Sequence, residues 1–157
     1  MARRLFLFIS AVLMILVSFT CLATFVAADG NRYELYGLGL ESAETGEVLN
    51  SSCWALMVLA LLSGLVSLFN TLISFFRNFV LQKRLIVYSS LLVLGFLVVF
   101  FVFYFAYRSR LESIASGVTI WSVAVPAVVL LLHIMAFRAI NNHEAKIIAE
   151  ANSFRLR

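Results

Sequence analysis

LIVYSSLLVLGFLVVFFVFYFAY, residues 85–107, contains no Asp, Glu, Lys or Arg. A helix rises about 1.5 Å per residue, so a hydrocarbon core of about 30 Å takes about 20 apolar residues. Lipid offers the backbone no hydrogen-bond partner, so a run of this kind crosses it as a helix, whose N–H and C=O groups pair within the segment. Working outward, three more uncharged runs meet the same test: residues 5–28, residues 53–76, and a run from about residue 117 to 137.

Composition agrees. Hydrophobic residues make up 63% of the 157 residues and charged residues 13%, against roughly 45–50% apolar and about 25% charged in soluble domains. A soluble fold of this size could not bury that much apolar surface without association. The expectation is an all-α membrane protein of one domain, residues 1–157, built as a four-transmembrane-helix bundle. The net charge of +4 does not point to nucleic acid. The cations flank apolar spans, where topology and anionic lipid account for them, and no basic patch is interleaved with base-stacking aromatics.

Those cations orient the chain, because Lys and Arg are retained on the cytoplasmic side. With both termini inside, the inner segments hold nine of them: Arg3, Arg4, Arg77, Lys83, Arg84, Arg138, Lys146, Arg155 and Arg157. The outer segments hold three, Arg32, Arg108 and Arg110. Arg3-Arg4 followed by an apolar run ending in Val26-Ala27-Ala28 resembles a signal peptide. The 24 uncharged residues of 5–28 exceed the usual 7–15 of a signal core, so a retained first helix is expected.

Between the first two spans, residues 29–52 carry Asp29, Glu34, Glu41, Glu44 and Glu47 against Arg32 alone. Residues 31–40 alternate polar and apolar, Ser42-Ala-Glu-Thr-Gly-Glu supplies turn residues, and Val48-Leu49 resumes apolar character. This predicts a short extracytoplasmic β-hairpin turning near Thr45-Gly46, with Tyr33 and Tyr36 near the headgroups.

Polar side chains within lipid are costly unless paired, so they face inward or mark function. Ser63, Ser67, Asn70 and Ser74 of the second span share one helical face, with Gly64 and Thr71 beside it. They read first as a packing face, where small residues let backbones approach and hydroxyls bond across helices. The sharper reading is a polar path. His133 in the fourth span reads as a buried hydrogen-bonding residue, with proton relay as the alternative, and Pro126 is expected to kink that helix or interrupt its ladder. Cys21 and Cys53 fall at different depths, which argues against a disulfide. The sequence holds no HExxH, CxxC, phosphate-binding glycine loop or GxSxG, so no catalytic, metal-binding or cofactor-binding residues are assigned and no cofactor is expected.

The tail, residues 138–157, reads as helical. Ile140, Ile147, Ala151 and Phe154 form one apolar stripe, either on a cytoplasmic extension of the fourth helix or on a docking helix for a partner. Here the sequence resembles an uncharacterised family of small bacterial membrane proteins, domain of unknown function 4293, found mainly in Bacteroidota. Leu81-Gln82-Lys83-Arg84-Leu85 is similar to that family's basic LQ-x-RL opening of the third span. Pro126 falls early in the fourth span, and Ala136-Phe-Arg-Ala-Ile-Asn-Asn-His-Glu with Arg155-Leu156-Arg157 is similar to its "ARAI…DE…RLR" ending. The chain departs at Ala2-Arg3-Arg4-Leu5, where the family opens Arg-Ile-Gln, and at His143, where an aspartate is usual. The resemblance implies a multi-pass protein of the bacterial inner membrane and no activity.

Function is therefore expected to be non-catalytic: an accessory, scaffold or assembly subunit of a membrane complex, contacting the lipid bilayer and either other membrane subunits or further copies of itself. The alternatives are a transport or channel component using the polar face of the second helix, and a membrane-embedded enzyme or sensor using His133.

Overall fold

The computed structural model describes residues 2–50, 53–74 and 78–155. The fold is mostly helical, with four helices and a small antiparallel sheet. In chain order, α1 is Ala2–Val17, followed by β1 (Ala23–Val26), β2 (Arg32–Leu35), β3 (Leu40–Ser42) and β4 (Val48–Asn50). Then come α2 (Trp54–Ile73), α3 (Phe79–Arg110), β5 (Ala115–Val118) and α4 (Ile120–Arg155). Helices α2, α3 and α4 are each long and apolar enough to cross a membrane, while α1 is shorter.

The first expected span is thus corrected. Only residues up to Val17 are helical, and the rest of 5–28 turns and becomes a strand. The Ser18 hydroxyl donates to the Ile15 carbonyl (2.6 Å) and the Thr20 hydroxyl to the Val17 carbonyl (3.0 Å), which ties off the last turn. From Ala23, burial alternates (Ala23 in, Thr24 out, Phe25 in), the period of a strand. Counting uncharged length cannot see that change of period. Cys21 therefore lies beyond α1 rather than inside it.

The sheet has the order β4-β3-β2-β1-β5. The expected hairpin is present as β3 and β4, with Gly46 N–H donating to the Ser42 carbonyl at 2.9 Å across the turn. The alternating run of residues 31–40 breaks into two strands at Gly37. A Cβ there would sit 2.9 Å from the Ser18 carbonyl oxygen, so only glycine lets the hairpin close over the end of α1. β5 comes from the start of the expected fourth span. Ser116 and Gly117 pair with Phe25 and Thr24 of β1, so α4 begins at Ile120 rather than near residue 117.

Tyr33 packs against the core. The Tyr36 hydroxyl donates to Glu34 at 2.7 Å. That bond favours the phenol, and with burial and the Glu34 charge it raises the Tyr36 pKa from 10.0 to about 12. A folded-state pKa above the unfolded one contributes stability that is complete below pH 10 and is lost as pH rises through about 12. Ultraviolet titration should show Tyr36 ionising near that upper value, and Glu34→Gln should return it toward 10.0.

One cluster joins sheet and helices. Phe25, Leu35 and Leu40 meet Met14 and Val17 of α1, Leu56 and Ala60 of α2, Phe96 and Phe100 of α3, and Val129 of α4. The Phe25 ring lies 5.5 Å from that of Tyr104, whose hydroxyl is 3.0 Å from Ser116 Oγ. The sheet thus covers the end of the short α1 and leans on the longer α3.

At the opposite end, α2 is helical to Ile73, residues 75 and 76 of the expected second span lie outside the described residues, and the third helix starts at Phe79 rather than residue 85. The Asn78 side chain caps α3, accepting from Leu81 N–H at 3.3 Å. The cations expected in a turn, Lys83 and Arg84, are therefore on the first turns of a helix. Arg77 lies outside the described residues. α4 continues through Pro126 and past residue 137 to Arg155, which makes the tail a continuation of the fourth helix. Lys83 pairs with Glu144, and the Phe79 ring meets His143 edge-on at 5.7 Å.

Candidate functional site

The polar face of α2 follows from its spacing. Ser63, Ser67, Asn70 and Ser74 recur at intervals of 4, 3 and 4 and are all at most 1% exposed. They point into the helix packing. Thr71 is half-buried and donates to its own helix, at the Ser67 carbonyl, 3.0 Å away. The Ser63 hydroxyl likewise donates to the Ala60 carbonyl at 2.9 Å.

Ser67 meets the other helices. Its Oγ lies 2.7 Å from Ser89 Oγ of α3 and 3.1 Å from His133 Nε2 of α4. Ser89 Oγ is 3.4 Å from the same ring nitrogen and donates to the Ser63 carbonyl at 3.2 Å. On the far side of the ring, Ser90 Oγ lies 3.2 Å from Nδ1 and donates to the Ile86 carbonyl at 2.8 Å. Which ring nitrogen carries the proton depends on how these hydroxyls turn, and the ring stands within hydrogen-bond reach of three hydroxyls from two other helices. No carboxylate takes part, and among the described residues no group of three or more His, Cys, Asp or Glu could hold a metal.

A second polar knot closes the end of α2, where the last carbonyls lack intrahelical partners. The Asn70 amide donates to the Gln82 backbone carbonyl at 3.1 Å, and the Gln82 amide reaches back to the Ile73 carbonyl at 3.5 Å. Arg4 of α1 donates to Ser74 Oγ at 3.2 Å and to the Ser74 carbonyl at 3.1 Å. A cation at a helix C-terminus also meets the negative end of the helix dipole. The oxygens Asn70 Oδ1 and Gln82 Oε1 are buried without a hydrogen bond from the described residues.

Sequence reasoning named Ser63, Ser67, Asn70, Thr71, Ser74 and His133, and the structure brings Ser67 and His133 into contact. It missed Ser89, Ser90, Gln82 and Arg4. Ser89 and Ser90 were legible by the same rule, as two hydroxyls inside an apolar run. Gln82 falls between the expected second and third spans. Of the tail stripe, Ile140 is fully buried with Leu7, Ile86 and Ala136, so it serves helix packing. Ile147 is exposed, and the side chains of Ala151 and Phe154 lie outside the described residues. Cys53 Sγ is 3.2 Å from the Tyr107 hydroxyl. Cys21 and Cys53 are both free thiols.

The model of a known family, described as domain of unknown function (DUF4293), matches residues 4–152. It spans all four helices and the sheet, and it is the family that the LQKRL opening and the tail resemble. No curated protein matches the chain.

Proposed function

The chain belongs to the family described as domain of unknown function DUF4293, and on that premise we propose that it is a non-catalytic accessory, scaffold or assembly subunit of an inner-membrane complex. In this reading all four helices cross the bilayer, both termini are cytoplasmic and the sheet lies outside. The observation that carries it is where the polar groups of α2 go. Ser67, Asn70 and Ser74 are buried, and each bonds to another helix, the use expected of small polar residues as glue between helices in lipid.

The outer surface of the helices supports the crossing. Leu65, Phe69 and Leu72 of α2, Val98 and Phe105 of α3, and Leu131 of α4 are each at least half exposed. Water would not tolerate so continuous an apolar face, and lipid does. Trp54 and Trp121, 61% and 65% exposed, begin α2 and α4 at the sheet end, where a belt of amphipathic aromatics belongs. Helix α1, with 16 residues, spans about 24 Å. The turn at residues 18–22 completes its passage and leads into the sheet at the outer interface.

A tagged copy purified from native membranes in mild detergent should bring down a stoichiometric partner by mass spectrometry. Recovery of this chain alone, in repeated preparations, contradicts the accessory role. A second reading, a transport component, draws on the two unbonded oxygens of Asn70 and Gln82. It requires a flux in liposomes that Asn70→Leu abolishes, and flux equal to that of empty liposomes defeats it.

A further inference from the structure

A groove of about 520 Å³ runs between α3 and α4 on the outer surface of the helices. Leu91, Leu94 and Ile134 line its apolar length, and Arg138 and Asn141 stand at one end. A second hollow of about 360 Å³ shares Val87 and Phe137 with it and adds Lys83 and Arg84. The two form one channel, apolar toward Leu94 and cationic toward Arg84. The ten residues from Arg84 to Leu94 rise about 15 Å, the depth of one leaflet in a hydrocarbon core of about 30 Å.

Two of the three cations at its mouth have no partner among the described residues. Lys83 is paired with Glu144. Arg84 and Arg138 are exposed, and neither has a hydrogen-bond or ion-pair partner among the described residues. A basic recess between helices, opening at headgroup level onto an apolar slot one leaflet deep, matches a molecule with one anionic head and a long apolar chain.

We propose that this groove is a binding site for an anionic phospholipid. One acyl chain lies along Val87, Leu91, Leu94 and Ile134, and the phosphate is held by Arg84 and Arg138. The assignment to the cytoplasmic leaflet rests on the orientation proposed above; the site itself does not.

Native mass spectrometry of the full chain in mild detergent tests it, with phosphatidylglycerol and phosphatidylcholine of identical acyl chains as probes. The wild type should retain phosphatidylglycerol about tenfold better, the preference expected of two cations for a net anionic head over one whose phosphate is offset by choline. Arg84→Gln with Arg138→Gln should abolish the preference, Arg84→Lys with Arg138→Lys should keep it, and Ile134→Trp, which fills the slot, should lower retention. Equal retention of both lipids, or a preference that survives the glutamine pair, overturns the site. So does retention unaffected by Ile134→Trp, which would mean lipid adhering to the general surface. Thermal protection by inorganic phosphate equal to that by phosphatidylglycerol would assign the cations to free phosphate and overturn it too.

Discussion

Replacing Phe25 by alanine is expected to cost about 3–5 kcal/mol, the range for emptying a large aromatic site in a core. Phe25 is fully buried in a strand flanked by β2 on one side and β5 on the other. Its ring meets Tyr104 of α3 and closes the cluster that joins the sheet to all four helices. In the orientation proposed above the sheet lies outside the membrane, so the alternative to burial for this ring is water rather than lipid, and the full hydrophobic penalty applies. Thermal unfolding in detergent should show the loss, and limited proteolysis should cut the sheet loops first while α2–α4 stay helical. An unchanged midpoint would mean that the sheet is not anchored through Phe25.

Gly64→Leu is expected to destabilise by about 1–3 kcal/mol, toward the upper end for overpacking. A Cβ at Gly64 would stand 2.9 Å from Ile15 Cγ1 and 3.3 Å from the Ala11 carbonyl oxygen. The side chain of Ile15 can yield only a little, and the Ala11 backbone cannot yield without moving α1. Gly64→Ala should cost less, since it brings these Cβ contacts without the remaining bulk of a leucine side chain. Gly95→Leu is the control, because a Cβ there meets nothing within 4 Å and should leave the thermal midpoint nearly unchanged. Equal effects at the two glycines would contradict the close contact of α1 with α2.

The helices were legible because lipid selects long uncharged runs, and three of them reappear as helices long and apolar enough to cross. Their ends were not. Hydropathy cannot distinguish apolar residues that continue a helix from apolar residues that alternate in a strand, as Ala23–Val26 does after Val17. β5 was hidden for a related reason. Ala115–Val118 becomes a strand only because β1 is there to pair with it, a contact between segments about 90 residues apart in sequence. The start of α3 was missed because Gln82, Lys83 and Arg84 look like a loop. Asn78 caps the helix and Gln82 is drawn into the end of α2, so polarity here serves the junction between two helices.

At the candidate site, the spacing on α2 marked one face of the helix without saying what meets it. The partners come from α1, α3 and α4, and only Ser89 and Ser90 carried a local signal of their own. His133 stood alone in the sequence because its partners are hydroxyls on other helices, which no spacing rule within one helix can find.

The central claim is that the polar groups of α2 hold helices together rather than line a path through them. Accessibility at Ser67 tests it most directly. In a chain carrying Cys21→Ser and Cys53→Ala, Ser67→Cys is exposed to a small hydrophilic thiol reagent in opened native membranes, with Asn142→Cys, on the exposed C-terminal part of α4, as the reactive control. Packing predicts that the control labels fully while the cysteine at position 67 stays unlabelled. Labelling of both at similar rates would place water beside Ser67 and contradict the account.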